Sequence, residues 1–422
     1  MRIVTDSSAF QPVMSTSKHT QRSKINDQSP FLSSLALSLL RHSAPPSDSF
    51  VLSPFSLNTA LSIIHDGAGG STQEELTKLL LDGYSPSEVT DLYSSLILNP
   101  LSARVPWADI VFKTANRFYV DDIISLKSDY QKDMESKYRA QVLNLNLKSK
   151  VDAAKEISSF VEKATDGFLE GVVTPQDIKD DAKALLINAT YINGKWCCPF
   201  QEQDTHKRLF RSDSGDREMD FMKDRGLYRF DQNTAFGTVL VMKYQDENYN
   251  FFYIMPKESS NLEQLRRQIT GPDLVNLLKG LKGDEEWADI TVPKFTVDSK
   301  LDTRKVLTEL AVKRIFSDCA DFSKVSSTAL YIDDIQHAVS IKVDEEGTIA
   351  AAATVAVALP GCCLFEKPPP SIIIDRPFLF GIVNYDFRPE DDEEDDDDSG
   401  DFEAKAPHHA PEDERDPETM HL

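Results

Sequence analysis

No stretch of the 422-residue chain stays apolar for the roughly 20 residues that a membrane-spanning helix needs, so no span is expected. The first 30 residues, from Met1 through Thr5, Ser15, Lys24 and Pro30, are polar and lack the apolar core of a signal peptide. A cytoplasmic location is the expectation that follows. Cysteine is scarce: five residues, with Cys197 next to Cys198, Cys362 next to Cys363, and Cys319 alone. An odd count with two adjacent pairs makes a poor disulfide framework, because neighbouring residues do not easily bridge each other. Reduced thiols are expected. Basic residues are outnumbered, 46 Lys and Arg against 69 Asp and Glu, for a net charge of -23. No basic stripe is present to neutralise phosphates, which excludes a nucleic-acid binder. The excess is uneven. From Glu390 onward there are sixteen acidic and two basic residues, so the body before it is only moderately acidic.

Other absences narrow the chemistry. The glycine-rich Gly67-Ala68-Gly69-Gly70-Ser71-Thr72-Gln73-Glu74 has no lysine at phosphate-loop spacing. Ser71 to Glu74 instead predicts a capping box for a helix running to Leu80. No nucleophile–base pair, cofactor fingerprint or metal-ligand spacing stands out. His408 and His409 offer two ligands where a metal site needs more. The expectation is a protein that is not an enzyme, with no cofactor, no metal, no nucleic-acid or membrane partner, and monomeric. No repeat period appears, and no Pro/Gly/Ser linker divides the body.

What is present alternates between helix and strand periods. Helices are predicted from Phe31 through Leu40, from Phe55 through Ile64, after Ser85-Pro86, over Val151–Phe168, across Asn261–Leu281, and over Asp302–Leu310. Strands are predicted at Ile110–Val120, Ala140–Leu145, Val239–Lys243, Phe251–Met255, Ile290–Val297 (broken by Pro293) and His337–Val343. Ala184–Ile192 is almost continuously apolar, as a strand buried on both faces would be. The sequon Asn188-Ala189-Thr190 lies inside that run and is expected to be inaccessible. This is one large α+β domain, about 24–388, after a polar extension 1–23 and before an acidic disordered tail 389–422.

The chain is organised around the segment that follows Asp344. Gly347 to Pro360 carries no charge and no aromatic ring. Read at the strand period, Thr348, Ala350, Ala352, Thr354, Ala356 and Ala358 form one small-residue face. Ile349, Ala351, Ala353, Val355, Val357 and Leu359 form the other. Four consecutive alanines also suit a buried helix, although the β-branched Thr354, Val355 and Val357 and the early Pro360 oppose one. Pro360, Gly361 and Pro368-Pro369-Pro370 read as exposed loop. A segment composed like a buried strand and flanked like a loop suggests two positions for one piece of chain.

In this order the pieces resemble the serpin family. The resemblance is carried by Ser53-Pro54-Phe55-Ser56 with Ala60-Leu61, the Gly67–Thr72 turn, and Ala115-Asn116-Arg117-Phe118-Tyr119. It is carried further by Ile187-Asn188-Ala189-Thr190-Tyr191-Ile192-Asn193-Gly194-Lys195-Trp196 with Pro199-Phe200, by Val292-Pro293-Lys294-Phe295, by His337–Thr348 and by Pro377-Phe378-Leu379-Phe380. It implies a multi-helix domain with a large central mixed or antiparallel sheet, smaller sheets and an exposed reactive loop at about 345–371. It also implies a protease inhibitor. A protease cuts the loop and is held as a covalent acyl-enzyme while the freed upstream half enters the sheet. Glu345, Glu346, Gly347, Thr348, Ala350, Ala351, Ala352, Ala353 and Thr354 match the hinge, and its freedom from charge and proline matches inhibitory members. Ser53, Ser56, Asn188, Trp196 and His337 match positions that govern how the sheet parts.

Family spacing puts the cleaved bond at Gly361–Cys362, with Cys363, Leu364 and Phe365 as further candidates. Leu359 and Lys367 precede prolines, so a trypsin-like target is not expected; an elastase-like, chymotrypsin-like or papain-like cysteine protease is. Cys362 and Cys363 are expected to be plain exposed thiols, with a redox-sensitive bait as the lesser alternative. The resemblance fails at one place. The family's last apolar core strand has no counterpart after Asn384-Tyr385-Asp386-Phe387-Arg388, which passes into the acidic run. That run raises an alternative: a non-inhibitory serpin-fold binding protein whose acidic tail contacts basic partners.

Overall fold

Serine and proline together start the helix on which the core is built. In the computed structural model, which describes residues 18–43, 49–98, 110–212, 215–246, 248–257, 261–281, 285–347 and 368–384, helix α1 is Lys18–Ser43 and α2 is Pro54–Gly67. Ser53 caps α2 by accepting the Ser56 N–H on its hydroxyl, and Pro54 occupies the first turn, where no N–H is needed. Leu57, Ala60, Leu61, Ile63 and Ile64 are all fully buried, so α2 runs through the core. Helices α3 (Gly70–Leu81) and α4 (Pro86–Leu98) pack beside it. The capping box predicted at Ser71 does not form. The helix starts earlier, with Gly69 at the cap position and its carbonyl accepting from Thr72 and Gln73.

Strands and helices then follow in the order β1 (Ile110–Asp121), α5 (Ser128–Tyr138), β2 (Gln141–Leu145), α6 (Lys150–Ala164), β3 (Ala184–Gly194), β4 (His206–Phe210) and β5 (Arg217–Thr234). After them come β6 (Gly237–Lys243), β7 (Tyr249–Met255), α7 (Leu262–Gln268), α8 (Gly271–Lys279), β8 (Glu286–Pro293) and β9 (Phe295–Asp302). The last are α9 (Thr303–Glu309), β10 (Asp334–Val343), β11 (Ser371–Ile373) and β12 (Leu379–Asn384). The helix expected across Asn261–Leu281 is two helices, because Thr270 and Asp273 form a reciprocal capping box that starts α8 anew. The strand expected over Ile290–Val297 divides at Lys294, just after Pro293.

One sheet has the order β2-β1-β3-β10-β9. Strand β3 is its centre and is covered on both faces. Ala184 and Leu186 face the core around α2, whereas Leu185, Ile187 and Ala189 face α6. This two-residue alternation between two apolar layers explains why the sequence of β3 looks continuously apolar. Strand β1 lies antiparallel to β3, and β9 antiparallel to β10. Between them β3 and β10 run parallel, from Asp334 opposite Leu185 to Ile341 opposite Ile192. A second sheet has the order β11-β8-β5-β6-β7-β12, with β4 added on β5. Its last strand, β12, pairs among the described residues only with β7. No described helix is long and apolar enough to cross a membrane.

Candidate functional site

Three neighbouring strands carry one polar residue each at the same level of the first sheet. Asn116 on β1 lies opposite Asn188 on β3, and Asn188 opposite His337 on β10. The row meets the start of α2. The Asn188 side-chain amide donates to Ser56 Oγ at 2.6 Å, to the Ser56 carbonyl at 3.1 Å and to Asn116 Oδ1. Thr190, two residues along β3, donates its hydroxyl to Ser56 Oγ at 2.7 Å. His337 Nε2 lies 3.2 Å from the backbone nitrogen of Ser53. That nitrogen can only donate, so Nε2 accepts, and the ring proton sits on Nδ1, which bonds Asn188 Oδ1. Burial drives the imidazole pKa down to about 3, leaving it neutral. Asn188 is fully buried, as expected for its sequon.

A second set of contacts lies at the upper end of the same two strands. After β10 the chain turns at Asp344–Gly347 and crosses toward the end of β3, where Gly347 bridges Lys195. Trp196 holds the turn twice: its backbone N–H donates to the Glu346 carbonyl and its indole Nε1 to the Asp344 carbonyl, each at 2.9 Å. Phe200 N–H donates to the Glu345 carbonyl at 2.7 Å. The Trp196 ring is fixed by stacking on Tyr244, with centroids 4.8 Å apart, and by the edge of Phe251.

The turn's carboxylates are buried but paired. Asp344 accepts from the backbone of Glu346 and Gly347 and pairs with Lys342 at 2.9 Å. Glu345 pairs with Lys294 at 2.6 Å and accepts from Thr205 at 2.8 Å. Burial works against ionising Glu345, but Lys294 and then Thr205 outweigh it and hold the carboxyl below its usual range. Glycine is required at 347 by space: a Cβ there would stand 1.9 Å from the Gly194 carbonyl oxygen.

Ser53, Ser56, Asn188 and His337 therefore come together in one network, and Trp196, Glu345, Glu346 and Gly347 in another. Thr348, Ala350, Ala351, Ala352, Ala353, Thr354, Gly361, Cys362, Cys363, Leu364 and Phe365 lie outside the described residues. So do the extension 1–17 and the tail from 385. Sequence reasoning missed Asn116, Thr190, Thr205, Lys294 and Asp344. Thr190 had a readable signal, since it shares a strand face with Asn188. Among the described residues no group of three or more His, Cys, Asp or Glu is arranged to hold a metal ion.

The family model described as "Serpin (serine protease inhibitor)" matches residues 31–386. Serpin B6 of Pongo abelii is 27% identical over 336 residues, covering 78% of this chain and 88% of that protein. Among solved structures, Serpin48 of the insect Tenebrio molitor superposes with a TM-score of 0.71 at 26% identity, covering 85% of this chain and 94% of that one. Human thyroxine-binding globulin superposes with a TM-score of 0.74 at 23% identity, covering 86% and 95% of the two chains, which is a likeness of fold alone.

Proposed function

The chain belongs to the serpin family, and we propose that it inhibits a protease by inserting its cut reactive loop between β3 and β10. The observation that carries this reading is the place where the hinge leaves the sheet. Strand β10 ends in a turn whose last described residue, Gly347, already pairs with the residue just beyond β3. A segment turning back from there would run antiparallel to both flanking strands. One parallel pairing would then be replaced by two antiparallel ones.

The composition of the segment favours the move. Insertion of a dozen residues forms on the order of 12 ladder hydrogen bonds, each contributing about 1 kcal/mol net. Burying Ile349, Val355, Val357 and Leu359 adds to it. Nothing from Thr348 to Leu359 opposes it with a charge or a missing N–H. The network of Ser53, Ser56, Asn188 and His337 would hold the two strands together until the loop is cut, and the Trp196 contacts would hold the hinge in its starting position. The nucleophile belongs to the protease, so the inhibitor contributes no catalytic group. Cleavage is assigned to Gly361–Cys362 or to the bonds beside Cys363, Leu364 and Phe365, by an elastase-like, chymotrypsin-like or papain-like enzyme.

The test is to incubate the full chain with one protease of each class and with trypsin, then separate the products in SDS. A covalent complex with at least one of the first three is expected. If every protease instead either ignores the chain or cuts it and departs, the inhibitory reading fails and a binding role on this fold takes its place.

A further inference from the structure

Two exposed thiols, Cys197 and Cys198, directly follow Trp196 in the link between β3 and β4. Their side chains are hydrogen-bonded to each other. They also sit within the contacts that hold the hinge. Cys197 N–H donates to the Lys243 carbonyl at 2.9 Å, between the Trp196 and Phe200 N–H groups that bind Glu346 and Glu345. The neighbouring Cys197, then burial, then Asp224 and Glu285 raise the Cys198 thiol.

We infer that Cys197 and Cys198 form a dithiol oxidation site for low-molecular-weight disulfides of the glutathione class, and that closing a bond between them loosens the grip of Trp196 and Phe200 on the hinge. This goes beyond inhibition and does not rest on it. Cys197 loses its proton to water and its sulfur attacks one sulfur of the reagent, forming a mixed disulfide and releasing one small thiol. Cys198 then loses its proton to water and attacks the Cys197 sulfur, expelling the second small thiol. Two electrons pass to the reagent, and one disulfide breaks for one formed.

Consecutive Cα atoms stand about 3.8 Å apart across a trans peptide, short of the roughly 4.4–6.8 Å that disulfides span. Ring closure must therefore distort the peptide between the two cysteines. Strain makes the bond easily reduced, so it forms and breaks with the surrounding redox poise. The distortion falls between the Trp196 and Phe200 nitrogens, whose hydrogen bonds fix the turn.

The experiment uses the full chain with Cys319→Ser, Cys362→Ser and Cys363→Ser, treated with oxidised glutathione. Peptide mass analysis should show loss of two hydrogens from the peptide bearing Cys197 and Cys198. A glutamate-specific protease should then cut after Glu345 or Glu346 about fivefold faster, the ratio that a loss of about 1 kcal/mol produces. Reductant should restore the original rate. Adding Cys198→Ser should leave a glutathione adduct on Cys197 with no acceleration. A mixed disulfide that persists with both cysteines present, a bridge that leaves hinge cleavage unchanged, or equal acceleration in the Cys198→Ser chain would each overturn the proposal.

Discussion

His337 shows how one buried proton acceptor ties stability to pH. Its folded pKa of about 3 lies below the ordinary histidine value of 6.5. Between those values the unfolded chain binds a proton that the folded chain refuses, so stability contributed by the neutral ring is lost as pH falls below 6.5. The slope is about 1.4 kcal/mol per pH unit. Protonation would turn Nε2–H toward the Ser53 N–H, donor against donor. A His337→Gln variant should be less stable than the native chain at pH 7 by about 1–3 kcal/mol. The gap should shrink by about 2 kcal/mol at pH 5 in paired urea titrations. A gap that stays constant between the two pH values would mean that His337 is not the group responsible. Trp196→Phe keeps the ring against Tyr244 but removes the indole donor to Asp344. Its expected cost is about 1–2 kcal/mol by urea titration, with the fold retained by circular dichroism.

At the scale of elements, the proposed mechanism would move the turn after β10 and the segment that follows it. Thr348→Arg would place a charge at the start of the inserted stretch, where burial costs several kcal/mol. The variant should be cut by the target protease but release it, with at least tenfold more inhibitor consumed per enzyme trapped. Unchanged stoichiometry would show that residue 348 does not enter the sheet. Strand β3 was legible in sequence because burial on both faces removes polar alternation altogether. Helices α7 and α8 merged in the sequence reading because the Thr270–Asp273 cap sits inside an otherwise helical pattern. Pairing across strands was not legible. Asn188 and His337 were found by resemblance, whereas Asn116 was missed, since a lone asparagine in a strand does not reveal what lies opposite. The burial of Asp344 and Glu345 was not legible either, because their charge does not reveal the partners that receive it. They are buried at 4% and 6% exposure because Lys342, Lys294 and two backbone N–H groups receive them.

For the whole molecule, the described residues form a sheet that holds β3 and β10 in parallel register while one of them leads into a segment fit to lie between them. The account therefore requires that the intact chain not be in its lowest-energy arrangement, and that cutting the loop release it into a more stable one. The direct measurement is thermal unfolding of the intact chain beside chain nicked between Pro360 and Lys367 by a protease that it does not trap. A dozen new ladder bonds at about 1 kcal/mol each should move the midpoint far upward, by tens of degrees at the rough exchange rate of 2–4 °C per kcal/mol for a large domain. A nicked chain that melts at or below the midpoint of the intact one would contradict insertion and, with it, the proposed mechanism of inhibition.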